Sequence, residues 1–408
     1  MKKLSFTLLL AALLVPLLSP GWGIFGHRTI AQISVYALPR PMLNFYFHHL
    51  KELVKKSTAA DERRATDPQE ASKHFIHIDH YGEDPFNVLP KTWDKATAKF
   101  PADTLRKYGT VPWVVLDLKE RLTEAFRNRD TTAIINLSAD LGHYVADAYV
   151  PLNTTTNFDG QLTNQEGIHS LWDAKLPERN IAKYKLNSEE AKYVKDPLAA
   201  IWKAVQESYG FLGATFDIEE EVSRKYTTET KYSFSHKFGK TRRSYSDAFA
   251  DAYHEKVGGM VAYRLKQAPT LVASLWYTAW KDGGSPDLDK LLPHEPSKDE
   301  RDQLVADLDL WNDNQLVAQQ RLLALEKDKV VERPDQINAA REMPAASAIE
   351  QLGATAQPKA STEAAAAPTA ATPEKAKVKA KTSTGTVKQK AKPKKADDGW
   401  GTSSGSGW

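Results

Sequence analysis

Two imidazole–carboxylate pairs stand at helical spacing in the middle of the chain. His143 and Asp147 are four apart in GHYVADAYVPLN, residues 142 to 153. Side chains at i and i+4 share one face of a helix, so such a pair can grip a metal ion. Asp140 falls one turn earlier on the same helix. The spacing recurs at His169 and Asp173 in GIHSLWDAKLPE. One such pair is a common accident; two so close together carry more weight. Upstream, AADERRATDPQEASKHFIHIDHYG holds Asp61, His74, His77, Asp79 and His80. Histidine clusters are the usual zinc ligands where cysteine is absent, and this chain has no cysteine. Disulfides, thiolate zinc fingers and cysteine nucleophiles are therefore excluded. The same upstream residues also suit a polar loop of hydrogen-bonded imidazoles.

The start of the chain adds another donor. MKKLSFTLLLAALLVPLLSPGW places Lys2 and Lys3 before an apolar run from Leu4 to about Leu18, with Ser19 and Gly21 just ahead of Trp22. This is the layout of a secretory signal peptide over residues 1–21, cut before Trp22. The run is short for a spanning helix and Pro16 interrupts it. The mature chain is expected to lack a transmembrane segment and to be secreted or periplasmic. Cleavage would give Trp22 a free α-amine, which with its own carbonyl oxygen can chelate a metal. An amine with a pKa of about 7.7–8.0 yields its proton readily to a divalent ion. His27 follows five residues on in WGIFGH.

The elements that must position these groups read as helices, and the expected fold class is all-α. In TTAIINLSADLGHYVADAYV, apolar Ile134, Leu137, Leu141, Val145 and Ala148 recur at a 3.6-residue period. A second stripe runs through Phe249, Tyr253, Val257, Met260 and Val261. LVASLWYTAW, residues 271 to 280, is apolar nearly all round and predicts a buried helix. KYSFSHKF, residues 231 to 238, is the best candidate for a hairpin arm. The expected organisation is a compact multi-helix domain over 22–292, a Pro-marked boundary, and a helical extension over 298–345. Within the extension a polar helix is expected from Lys298 to Glu326, with Leu304, Leu308 and Trp311 on one side. Residues 346–408 are low in complexity and rich in Ala, Lys, Thr and Pro, and are expected to be a disordered tail. The net charge of +3 is uneven: residues 351–408 carry ten Lys against two Glu and two Asp. The tail therefore suits anionic polymers, or serves to solubilise.

Taken together, WGIFGHR, DERR, KHFI and the two HxxxD pairs resemble, in their order, a superfamily of zinc enzymes. It comprises the zinc-dependent single-strand nucleases of fungi and plants (S-one and P-one type) and the bacterial zinc phospholipases C. The likeness runs from Trp22 to about Glu178, and Tyr245 through WYTAWKDGGSPDL resembles the last helices of bacterial secreted members. It implies an all-α fold with zinc ions at the bottom of a cleft. By position, one zinc would be held by Asp61, His74, His143 and Asp147. A neighbour would use Trp22, His27 and a bridging Asp147. A third would use His169, Asp173 and a histidine that is Asn153 here, so its ligand set is incomplete. Tyr149 could point its phenol into that third space. Arg64 matches a phosphate-contacting arginine and Phe75 an aromatic beside the base site. His77 stands where an aspartate is usual.

The implied reaction is zinc-dependent hydrolysis of phosphate diesters. A metal pair lowers the pKa of a shared water from about 15.7 to about 7. Asp61 would orient that water or take its proton, and Arg64 would neutralise phosphoryl charge. Single-stranded nucleic acid or nucleotides are the expected substrates. Phospholipid head groups are an alternative, and so is a zinc-binding or surface-binding protein with impaired catalysis.

Overall fold

The computed structural model describes residues 22–237 and 240–326. The expected signal peptide, the basic tail and the later part of the extension lie outside the described residues. The fold is all-α, as read from the apolar periods. Four helices, Ile24–Tyr36, Val111–Asn128, Thr131–Asp147 and Asp247–Asp282, pack on one another and carry the core. The last is 36 residues long and is capped by Ser246, whose side chain accepts from the Phe249 amide. That cap satisfies one of the amides a helix start leaves unpaired. The apolar stretch from residue 271 to 280 lies inside this helix, and only Leu271 and Tyr277 in it are partly exposed.

This long helix fixes the helix of the first HxxxD pair. Trp276 Nε1 donates to the Ser138 carbonyl at 3.0 Å. Its indole also stacks on Tyr46 at 5.1 Å, and the Tyr46 hydroxyl lies 2.9 Å from Ser138 Oγ. Gly142 permits the contact: a Cβ there would already sit 3.4 Å from Trp276 and from Val272. Any larger side chain would push the two helices apart.

Among the described residues the one sheet is an antiparallel hairpin, Tyr232–Lys237 with Lys240–Tyr245. Its register pairs Tyr232 with Tyr245 and Phe234 with Arg243. The buried Tyr232–Tyr245 pair anchors its base, and Phe234 stays exposed.

The polar helix expected to reach Glu326 is shorter, spanning Lys298–Asn312. Asn314 takes a left-handed conformation at φ 56°, which asparagine tolerates and which ends a helix. The chain then turns back onto the first helix. Gln32 Nε2 donates to the Arg321 carbonyl at 2.8 Å, and its Oε1 accepts from the Leu323 amide at 2.7 Å. Buried Asp307 accepts from the Tyr36 hydroxyl and pairs with Arg321. The residues from 298 to 326 thus lie on the helix that carries His27.

Candidate metal centre

The Thr131–Asp147 helix is capped by Asp130, whose carboxylate accepts from the Ala133 amide at 3.0 Å. It ends on Asp147 itself, so His143 and Asp147 share its final turn. Residues 141 to 147 are all buried. The next turn is pinned from outside. Ser208 Oγ donates to the Ala148 carbonyl at 2.7 Å and Arg264 Nε to the Tyr149 carbonyl at 3.0 Å. Arg264 is fully buried, pairs with Glu207, and lies over the Tyr149 ring. The Arg264 guanidinium lies 4.2 Å from the centroid of the Tyr149 ring. The cation over its ring face holds it there.

Asp147 is the hub. One carboxylate oxygen, Oδ2, lies 2.9 Å from His74 Nδ1 and 3.4 Å from His143 Nε2. The other, Oδ1, lies 3.4 Å from His27 Nε2. Asp61, in the first turn of the short helix Ala59–Arg63, puts Oδ1 3.8 Å from His74 Nδ1 and 3.9 Å from His143 Nε2. His27 stacks on His143 with ring centroids 3.8 Å apart. His143 Nδ1 donates to the Ser57 carbonyl at 2.7 Å, so its Nε2 keeps the lone pair. His74 Nδ1 stands 3.1 Å from that Nε2. Two nitrogens facing each other over a carboxylate need a proton or a cation between them.

Both nitrogens of His27, both oxygens of Asp61 and Oδ1 of Asp147 are buried without a hydrogen-bonding partner. Such groups cost about 1–3 kcal/mol each when left unpaired, so a cluster of them fits a metal site better than a packed core. Borderline divalent ions take imidazole and carboxylate together, as zinc does.

Burial holds His27, His74 and His169 below the usual histidine range, the latter two at about 4. Neutral imidazole is the form that binds metal. Burial, followed by the charge of Asp61, pushes the Asp147 carboxyl well up. The folding consequence has a definite sign. Lowered imidazole pKa values give stability that is complete above the unfolded value of 6.5 and lost as pH falls toward 4. Asp147 opposes this, since its raised pKa favours the fold at low pH, but three imidazoles outweigh one carboxyl. The chelated protein is expected to lose melting temperature between pH 6.5 and 4, in a thermal denaturation series. A flat profile would contradict the burial of these rings.

The remaining residues divide. His169 repeats the device of His143: Nδ1 donates to the Phe158 carbonyl at 2.9 Å and Nε2 faces Asp173 Oδ2 at 3.3 Å. Asp173 sits in a π-helical turn, Leu171–Lys175, a form often found at functional sites. Asn153 is buried; its Nδ2 donates to the Asp147 carbonyl at 3.0 Å, and its Oδ1 has no hydrogen-bonding partner. Arg64 lies 3.6 Å from Asp61. Trp22 is fully buried against Trp172, and the next amide, Gly23, reaches the Asp173 carbonyl at 3.4 Å. Of the upstream histidine cluster, only His74 reaches the centre. His77 stacks between Phe75 at 4.2 Å and Phe158 at 5.9 Å. His80 is exposed and stacks on Tyr108. Asp79 instead ties down the following loop, accepting from Thr155 Oγ1 and the Thr156 amide.

One partner was missed in the sequence. Buried Glu70 faces His74 Nε2 at 3.7 Å and accepts from Lys73, Arg63 and Tyr144. Burial works against its charge, but the bonds from His74, Lys73 and Tyr144 and the Arg63 charge hold its pKa low. A carboxylate behind a ligand imidazole orients the ring and raises its basicity. The signal was present as a Glu70–His74 spacing of four. A cavity of about 930 Å³ is lined by Arg63, Glu70, Lys73 and Tyr144, not by the hub.

Gly109 sets the position of Phe75. Its φ is +96°, and a Cβ there would fall 2.1 Å from the Phe75 carbonyl oxygen. Gly109→Ala is expected to destabilise the fold by at least about 1–3 kcal/mol from the backbone conformation alone. It should also displace the Phe75–His77 stack. Denaturant unfolding measures the first effect, and an unchanged midpoint would contradict it.

Comparison with known proteins bears on this centre. The family described as S1/P1 Nuclease matches residues 22–276. Nuclease S1 of Aspergillus oryzae (strain ATCC 42149 / RIB 40) is 23% identical over an alignment of 192 residues that covers 43% of this chain. The chain spans 62% of the length of that relative. With the family match covering well over half of its residues, the chain belongs to the S1/P1 nuclease family.

Proposed function

We propose that the protein is a zinc-dependent phosphodiesterase that hydrolyses single-stranded nucleic acid or nucleotides. The observation that carries the reading is Asp147, whose two oxygens face different imidazoles in a buried cluster short of hydrogen bonds. Asp61, His74, His143 and Asp147 would hold one zinc, and Trp22, His27 and Asp147 a neighbour. His169 and Asp173 would hold a third, with Asn153 as a weak neutral donor. Bound there, zinc supplies Lewis acidity and an acidified water at neutral pH.

The chain's own groups do the rest. Asp61, with neither oxygen hydrogen-bonded, can accept a proton from the attacking water. Arg64 beside it can pair with the phosphoryl oxygens, and its planar fork suits that role better than lysine. Phe75, partly exposed and backed by His77, offers a flat face to a base. Such stacking is worth about 1–3 kcal/mol per base and tolerates any sequence.

The same reading makes residues 22–292 the catalytic domain and residues 298–345 an extension. It also takes the chain to be exported and cut before Trp22. Among the described residues no helix is long and apolar enough to cross a membrane.

The test compares substrates at equal phosphate concentration: a single-stranded oligonucleotide, its duplex and a phosphatidylcholine vesicle. The single strand is expected to be cut at least about a hundred-fold faster than the duplex, because a duplex base cannot reach an aromatic platform without unstacking. Faster release of the lipid head group would move the substrate to phospholipids. No hydrolysis of any of the three by zinc-loaded protein would favour a binding protein.

A further inference from the structure

A second cluster of metal-type ligands lies away from the Asp147 hub. His48 ends the helix Arg40–His48, His294 lies in the segment before the Lys298–Asn312 helix, and Glu300 is in that helix's first turn. The chain places them far apart, yet each offers a ligand atom within 4.8 Å of the others. His48 Nδ1 and Glu300 Oε1 are 3.2 Å apart. Two donors about 2.0–2.1 Å from one tetrahedral zinc stand about 3.3 Å from each other. The His48 and His294 rings meet edge to face at 5.4 Å.

The donors are also oriented. Glu300 Oε2 accepts from the Ser297 amide at 2.8 Å in a capping box, which fixes the carboxylate and leaves Oε1 toward His48. His294 Nδ1 donates to the Glu295 carbonyl at 3.0 Å, so Nε2 carries the lone pair, as at His143 and His169. The nearby cation, Arg301, directs its guanidinium to the Pro296 carbonyl.

We propose that His48, His294 and Glu300 form a half-buried zinc site that clasps the segment from 293 to 326 onto the Arg40–His48 helix. Two imidazoles and one carboxylate are a zinc-type set with an open fourth position for water. The clasped segment braces the Ile24–Tyr36 helix through Gln32 and Tyr36. The site therefore steadies the element that carries His27 without joining the chemistry.

The test uses the full chain and two variants, His294→Ala and Glu300→Gln. Glutamine keeps the capping hydrogen bonds but loses the charged ligand. Zinc per chain is counted by equilibrium dialysis at a fixed free-zinc concentration, and trypsin cleavage near Lys298 and Arg301 is followed with and without added zinc. The wild type is expected to hold one zinc more than either variant, and zinc should slow its cleavage but not theirs. Hydrolytic rates should be equal in all three. Equal zinc counts would overturn the site, and zinc-insensitive cleavage of the wild type would overturn the clasp.

Discussion

Asp147→Asn is expected to lower hydrolysis of a small phosphodiester by about a thousand-fold or more. The amide keeps the shape of the side chain but removes the charge shared by His27, His74 and His143. The expected size follows from what metal-lowered water acidity is worth at neutral pH. Stability should move the other way. Metal-free Asp147 is a buried carboxyl with a raised pKa, so at neutral pH its ionisation works against the fold. The metal-free variant should therefore melt no lower than the metal-free wild type. Zinc at about a thousand times its dissociation constant should add about 4 kcal/mol to the wild type. That is roughly 8 °C for a domain of this size, and the variant should gain far less. Paired rate assays and melting curves check both halves. A variant of undiminished rate would remove Asp147 from the chemistry.

The second large effect concerns the start of the chain. Protein beginning at Trp22 is expected to be at least about a hundred-fold more active than the same protein with one residue retained ahead of it. A free α-amine can give up its proton and bind a metal at neutral pH, and a peptide nitrogen does not. Trp22 has no room to reposition: its side chain is buried against Trp172, and Gly26 packs on its Cβ. His27 follows within the first turn of the same helix. Mass spectrometry of the N-terminus, zinc counting and rates on both forms test this. Equal activity would detach Trp22 from the centre.

Much of this arrangement was legible because it is periodic. The stripe of apolar residues through Ile134 and Leu141 gave the helix, and a spacing of four put His143 and Asp147 on its last turn. His169 and Asp173 were readable in the same way. Contacts made between distant segments were not. Glu70 behind His74, Arg264 under the turn after Asp147, and Phe158 beside His77 depend on how loops and helices meet. The return strand of the hairpin, KTRRSY, hid behind its charges. The helix stop at Asn312 depended on one left-handed asparagine in a polar run with no proline or glycine to mark it.

The most direct test of the account is the rate of single-strand cleavage by protein starting at Trp22, measured as loaded with zinc, after chelation, and after zinc is returned. Cleavage, its loss on chelation and its recovery with zinc are expected. Cleavage that survives complete chelation, or zinc-loaded protein that cuts nothing, would contradict it.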